Sequence, residues 1–328
     1  MKEHYDLVIV GAGPAGISCA IEAGKQDLNY LLCDKGNIVN SIINFPTDMT
    51  FFSTADQLEL GNIPFNCQNF RPTRTEAVRY YQRLVNYFSI PVATNLELFV
   101  AKKSDGLFVM EFRQQGDTKE LTAKNVIVAT GFYDQPNRLG IPGEELDHVS
   151  HYYREAFPYY NQSVIVVGGK NSAVEAALDL FRSGVKVSIV HRRPEIKASV
   201  KYWILPDIQN RIREGSIQAY LNSQLEMITP RTVQIKHNGK VKSLPADAVF
   251  LLTGYHPDEN ILKKCDVKYD RSNMEPEINQ ETLESNIPGL YLAGSIIAGK
   301  NANRIFIENS RDHGKIIVSA IMRNQSSG

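Results

Sequence analysis

Two glycine turns, each preceded by a short apolar run, constrain this chain more than any other feature. Gly11-Ala12-Gly13-Pro14-Ala15-Gly16 follows Leu7-Val8-Ile9-Val10. Gly168-Gly169-Lys170-Asn171-Ser172-Ala173 follows Val164-Ile165-Val166-Val167, 157 positions later. In a nucleotide-binding βαβ unit a buried strand ends in such a turn and a helix begins there. Backbone N–H groups at the helix N-terminus then face a pyrophosphate. The first glycine makes the turn, the second lets the backbone approach the phosphates, and the third lets helix and strand pack closely. The first copy meets all three conditions. The second keeps Gly168 and has Ala173 at the third position, but Lys170 at the middle one. Lys170 either displaces the pyrophosphate slightly or adds a cation beside it. Two such sites imply two dinucleotides in one chain, and electron transfer between them.

The residue closing the next strand separates the two sites. Asp34 stands 23 residues after Gly11 and closes Tyr30-Leu31-Leu32-Cys33. A carboxylate there accepts hydrogen bonds from a ribose with a free 2′-OH, which suits FAD or NAD. His191 stands 23 residues after Gly168 and closes Val187-Ser188-Ile189-Val190; Arg192, Arg193 and Lys197 follow. Cations in place of the acid suit a 2′-phosphate, which arginine grips in a bidentate way. The second site therefore suits NADP.

At 328 residues the chain is long enough for two domains with separate cores. Lys plus Arg equals Asp plus Glu at 36 each, so charge gives no case for nucleic acid or an anionic membrane. No apolar run reaches the roughly 20 residues of a membrane helix. The first apolar run leads directly into the glycine turn and so does not read as a signal peptide. A cytoplasmic protein is expected. Cys19, Cys33, Cys67 and Cys265 form no C-x-x-C pair, and the seven histidines form no ligand motif, so no metal is expected.

Each glycine turn is followed much later by an apolar run ending in Thr-Gly: Val126–Gly131 and Val249–Gly254. The repeat predicts one architecture used twice. The expected fold is α/β, with two Rossmann-like dinucleotide-binding domains, the second inserted into the first. The first domain takes 1–135 and 262–328 and the second 136–261, and two linkers form a hinge. A helix is expected over about Arg74–Phe88. Another, from about Asn303 to Met322, follows the strand Gly289–Ala293.

These motifs resemble low-molecular-weight thioredoxin reductases. The resemblance rests on Gly11–Gly16, Ala129-Thr130-Gly131, Gly168–Ala173, His191-Arg192-Arg193, and Thr253-Gly254 with Pro257. Phe51-Phe52-Ser53, Trp203-Ile204-Leu205-Pro206, Gly254–Asp258 and Ile305–Asn309 add a closer resemblance, to the bacillithiol-disulfide reductase (YpdA-type) subfamily. It implies FAD in the first domain and NADPH in the second. On the FAD side it implies Gly11, Gly13, Pro14, Ala15, Gly16, Asp34, Lys35, Ser41, Phe45, Thr50, Phe52, Ala129, Thr130, Gly131, Gly294, Ser295 and Ile305. On the NADPH side it implies Gly168, Gly169, Lys170, Asn171, Ser172, Ala173, His191, Arg192, Arg193 and Lys197. Thr130-Gly131 and Gly294-Ser295 would flank the isoalloxazine and ribityl region, and the Asn44–Ser53 loop would cover the flavin. The helix start near Asn303–Ile305 would face its pyrimidine edge.

The chain departs from those patterns in three places. Val149–Tyr160, where the reductases carry a C-x-x-C dithiol, holds no sulfur. Without that pair, thioredoxin reduction is not expected. Ser295 stands where the family has Asp. Ala15 stands where the subfamily places its reactive cysteine, so no catalytic residue is assigned beyond the flavin. Cys19, one turn after Ala15, reads as a small core hydrophobe, as does Cys33; Cys67 and Cys265 read as exposed. The tyrosines of His151–Tyr160 read as domain packing or a stacking surface, and His151 as a satisfied histidine or a proton donor.

The main functional reading is an NADPH-dependent FAD reductase of a small, bacillithiol-type disulfide. The alternatives are a ferredoxin- or flavodoxin-NADP reductase, whose partner is a small electron-carrier protein, and a sensing role. A homodimer is the expected assembly.

Overall fold

The computed structural model describes residues 3–196, 200–301 and 304–326. Lys197 and Asn303, both named above, lie outside them. By contact the chain separates into two units. One is Met1–Asn44, Thr50–Gln135 and Tyr255–Gly328; the other is Phe45–Met49 and Pro136–Gly254. The return to the first unit thus falls at Tyr255, against 262 from the sequence.

The first unit opens with β1 (Glu3–Val10), α1 (Pro14–Lys25), β2 (Tyr30–Cys33), α2 (Asn40–Ile43) and α3 (Arg74–Tyr87). It continues with β3 (Val92–Ala93), β4 (Glu97–Ser104), β5 (Leu107–Gln114) and β6 (Asp117–Val128). The second unit holds β7 (Val149–Ser150), β8 (Ser163–Val167), α4 (Asn171–Arg182), β9 (Lys186–Val190), α5 (Leu205–Arg213) and β10 (Gln218–Tyr220). Then come β11 (Ser223–Ile228), β12 (Thr232–His237), β13 (Lys240–Pro245) and β14 (Ala248–Leu251). The chain returns to the first unit with α6 (Glu259–Lys264), β15 (Leu290–Leu292), α7 (Ile307–Ser310) and α8 (His313–Ser326).

The main sheets share one plan. In the first unit the order is β3-β2-β1-β6-β5-β4, with β15 also paired to β6. In the second it is β10-β9-β8-β14-β7. The pairs β2-β1-β6 and β9-β8-β14 are parallel, and the central strands are apolar runs buried on both faces. The chain is therefore α/β with two Rossmann-like domains, the second inserted into the first.

Two local expectations fail. The last helix, expected to reach Met322, is not continuous. It is split into α7 and α8 at Arg311, whose carbonyl accepts from Ser18 Oγ on α1 and whose guanidinium donates to the Asp56 carbonyl. Cys265 is not exposed but 2% accessible, packed with Ile261, Leu262 and Val267. α6 turns its apolar side inward, and the solvent-facing Lys263 that prompted the expectation lies on the other side.

α8 docks on α1 through Gly314. A Cβ there would lie 2.5 Å from the Ser18 backbone. Gly314→Val should therefore cost about 1–3 kcal/mol by overpacking. Ser319→Ala, on an exposed face of α8, should cost almost nothing. Urea unfolding followed by circular dichroism measures both, and equal costs would contradict the close helix contact.

Candidate functional site

In the first unit α1 begins at Gly13, whose backbone is extended, with no side-chain cap and no acid in the first turn. Its first amides are thus left for an anion. Gly11 has φ +111°, and a Cβ there would lie 2.4 Å from the Ala129 carbonyl oxygen. A Cβ at Gly16 would lie 1.8 Å from the Gly11 carbonyl oxygen. Around Gly13 no atom comes within 4 Å of that point. The first and third glycines are forced by packing, while the second faces open space, as a pyrophosphate requires. Asp34 is fixed beside it: Oδ2 accepts the Ala12 N–H and Oδ1 the Gly36 N–H, both at 2.8 Å. Burial raises its pKa, against the lowering effect of those two bonds. Lys35 pairs with Asp134 at 2.9 Å. α2, which carries Ser41, starts beside the turn, where the Val39 N–H donates to the Ala12 carbonyl at 2.9 Å.

Three strand ends meet at this edge of the sheet. Ser295 Oγ lies 3.6 Å from the Cβ position of Gly131, and the Ala15 Cβ lies 2.8 Å from that of Gly294. Gly11, Ala15, Ala129, Thr130, Gly131, Gly294 and Ser295 are thus brought together. Among the described residues Thr130 Oγ1 is buried without a hydrogen-bond partner, which fits a missing polar ligand. These observations fit a bound dinucleotide. The other expected residues lie on loops. Thr50 bridges to Thr73 and Phe52 is 56% exposed. Ile305 is half-buried before α7. Phe45 belongs to the segment that packs with the second unit.

His313, absent from the sequence reading, belongs here. It is 6% exposed, and its Nδ1 accepts the Gly294 N–H at 3.1 Å. Burial lowers its pKa, with Asp312 opposing. No spacing rule marks it, because it reaches Gly294 only once α8 has docked.

The second unit repeats the turn with different chemistry. A Cβ at Gly168 would lie 2.6 Å from the Leu252 carbonyl oxygen and 2.8 Å from the Ala173 Cβ. α4 starts at exposed Lys170 with no side-chain cap. A Cβ at Gly169 would meet the His191 imidazole at 2.4 Å, so this glycine makes room for the histidine ring. Burial, and then Arg192 and Arg193, lower the His191 pKa. Arg192, Arg193 and Ser172 are exposed, and among the described residues neither arginine is ion-paired. Asn171 Oδ1 accepts the Lys201 N–H at 2.8 Å, and buried Lys201 pairs with Glu175. That pair was not foreseen; a lone Lys in a loop gives no sign of a helix partner. Open amides with uncompensated cations at the ribose position fit a dinucleotide bearing a 2′-phosphate.

No cysteine is activated. Burial pushes the Cys19 and Cys265 thiols up to about 12, raises Cys33, and raises half-buried Cys67 too. Tyr153 and Tyr159 pack edge-on to Phe250, at 5.2 and 5.3 Å between ring centres. Tyr153 is a core side chain of the second unit, and half-buried Tyr159 packs against that core. His151 lies 3.3 Å from Glu144, whose carboxylate holds the Leu139 and Gly140 amides at 2.8 and 2.7 Å. Burial lowers the His151 pKa.

Residues 8–294 match the family model described as pyridine nucleotide-disulphide oxidoreductase. The chain is 41% identical over 321 residues to the bacilliredoxin reductase Bdr of Bacillus subtilis (strain 168), covering 97% of this chain and 98% of that one. It superposes on the bacillithiol disulfide reductase Bdr (YpdA) of Bacillus cereus with TM-score 0.96 and 39% identity, over 98% of this chain and 100% of the other. For the enzyme of that name from Staphylococcus aureus the TM-score is 0.93 and the identity 37%, over 98% and 99%.

Because the His313 pKa lies below its ordinary 6.5, the unfolded chain takes up this proton first. Its contribution is therefore present above about pH 6.5 and lost as pH falls towards the folded value. His313→Gln, which keeps an acceptor for Gly294, should lose less unfolding free energy than wild type between about pH 7.5 and about pH 5.5. Parallel losses in urea titrations at the two pH values would show that His313 does not titrate in this way.

Proposed function

The chain belongs to the pyridine nucleotide-disulphide oxidoreductase family, and on that premise we propose that its acceptor is a low-molecular-weight, bacillithiol-type disulfide. Its cofactors are FAD and NADPH, and it is an FAD-dependent NADPH oxidoreductase. The reaction consumes NADPH, a proton and a disulfide and yields NADP⁺ and two thiols. What carries the acceptor proposal is the end-to-end likeness to reductases named for bacillithiol disulfide and bacilliredoxin, in a chain without a C-x-x-C pair.

In this reading the first unit holds FAD. The amides after Gly13 face the pyrophosphate, Asp34 takes the adenosine ribose, and Thr130, Gly131, Gly294 and Ser295 line the ribityl and ring region. The second unit holds NADPH, with its pyrophosphate at the start of α4 and its 2′-phosphate on Arg192 and Arg193. The bound flavin supplies the hydride chemistry, and the protein supplies position and electrostatics. The His191 ring fills the space beside Gly169. The four thiols are assigned no part, since none is held as a thiolate. A ferredoxin- or flavodoxin-NADP reductase is the weaker reading, because the relatives at 37–41% identity are named for disulfides or bacilliredoxin. A cytoplasmic homodimer completes the proposal. Its four unpaired cysteines suit a reducing compartment. No described helix is long and apolar enough to cross a membrane. The dimer rests on the resemblance.

The test is an anaerobic one. Enzyme reduced by NADPH is offered bacillithiol disulfide, then ferredoxin or flavodoxin. Rapid reoxidation by the disulfide is expected; reoxidation by the protein carriers alone would refute the proposal. Arg192→Ala with Arg193→Ala should raise the NADPH KM about 100-fold, as expected for two lost charge-assisted bonds, with little change for NADH. Bound FAD, read from its visible absorbance, should remain.

A further inference from the structure

Lys201 brings a charge into the interior of the second unit beside the start of α4. It is 8% exposed, and its ammonium pairs with Glu175, one turn along that helix. Lysine is almost never buried to this degree unless it is paired. Its Nζ also lies 5.7 Å from the centre of the Trp203 ring. The Lys201 backbone is tied on both sides. Its N–H donates to Asn171 Oδ1 at 2.8 Å. Its carbonyl accepts the Ile204 and Leu205 N–H groups at 3.0 and 3.1 Å, where α5 begins. Val200, just before it, is 2% exposed and belongs to the core of the unit.

This arrangement dictates the orientation of the Asn171 amide. A backbone N–H only donates, so the atom that meets Lys201 is the amide oxygen. The Nδ2 group, with its two N–H donors, is left over. Among the described residues it makes no hydrogen bond. Asn171 is the first residue of α4 and is half-buried, in a turn that has no side-chain cap and no acid. Its free donors add to the open amides of that turn, and a donor to an ionised oxygen makes the stronger kind of hydrogen bond.

We propose that Lys201 is a positioning residue for NADPH. Its N–H takes the Asn171 oxygen, which leaves Nδ2 for the pyrophosphate, and Glu175 keeps Lys201 in place. The inference rests on the assignment of NADPH to the second unit. Lys201 itself does not touch the nucleotide; Asn171 does. An apolar pair of the same volume would support the fold as well as this ion pair does. What the ion pair fixes is a single placement of the Lys201 backbone on α4.

Calorimetric titration of the oxidised holoenzyme with NADP⁺ and with 2′-AMP tests this without turnover. 2′-AMP keeps the adenosine and the 2′-phosphate but has no pyrophosphate. Lys201→Met and Asn171→Ala should each weaken NADP⁺ about tenfold, as for one lost hydrogen bond to a charged group, and leave 2′-AMP unchanged. The two together should be no weaker than Asn171→Ala alone, because one residue acts through the other. Lys201→Arg, which keeps a charge for Glu175, should bind NADP⁺ as wild type does. Asn171→Asp keeps the oxygen for the Lys201 N–H but sets a charge against the pyrophosphate. It should weaken NADP⁺ more than Asn171→Ala, yet unfold in urea no earlier than wild type, since an acid favours a helix start. Glu175→Gln replaces Lys201→Met if the latter fails to fold. Unchanged NADP⁺ affinity in Lys201→Met or Asn171→Ala overturns the proposal, as do additive losses in the double variant. Equal weakening of NADP⁺ and 2′-AMP also overturns it, because Lys201 would then only support the unit. Wild type that binds neither ligand strikes the assignment of NADPH to this unit and the proposal with it. Wild type that binds both, with unaffected variants, strikes the proposal alone.

Discussion

A single carbon added at Gly11 would sit 2.4 Å from the Ala129 carbonyl oxygen, and one at Gly16 would sit 1.8 Å from the Gly11 carbonyl oxygen. That closeness is the constraint on which the first unit depends. It sets the end of β1, the start of α1 and the end of β6 within backbone contact of one another. The Gly11 N–H reaches the Cys33 carbonyl and the Ala129 N–H reaches the Val10 carbonyl, each at 2.7 Å, so the strand ends are held level. A level edge gathers the loops that follow β1, β2, β6 and β15 on one side of the sheet, where ligands of open α/β sheets bind.

The second unit uses the same device: Gly168 bonds to Val190 at 3.1 Å and Leu252 to Val167 at 2.8 Å. Its chemistry differs at two positions. Asp34 spends its carboxylate on two amides of its own turn and keeps its remaining lone pairs outward. His191, at the same register, packs its ring against Gly169 and leaves the charge to Arg192 and Arg193. One sheet plan therefore carries a carboxylate after one second strand and exposed arginines at the matching position of the other.

Both glycine turns, the strands around them, α1, α3 and α4 were legible in the sequence, because each depends on local spacing: apolar runs, punctuating glycines and fixed register. The Asp34 and Arg192-Arg193 contrast was legible for the same reason. His313 was not, nor were the Lys201–Glu175 pair, the burial of Cys265 and the break between α7 and α8. Each arises where segments distant in sequence meet: α8 on α1 through Gly314 and Ser18, the 200–203 loop on α4, α6 on the first unit's core. Charge near a residue misled in the case of Cys265, since Lys263 beside it faces solvent on the opposite side of a short helix.

The sequence by itself determined the two glycine turns, the sign of charge after the strand that follows each, and the absence of a C-x-x-C pair, since these are properties of residue type and spacing. The tertiary structure decided which side chains share a site. Ala15 faces Gly294 and Ser295 faces Gly131 only because β15 returns to β6 after a whole domain has intervened, and His313 holds the Gly294 amide only once α8 has docked on α1. Such contacts span up to about 300 residues of chain, and no local pattern encodes them. They are fixed when apolar strand and helix faces that cannot be buried alone are packed against one another.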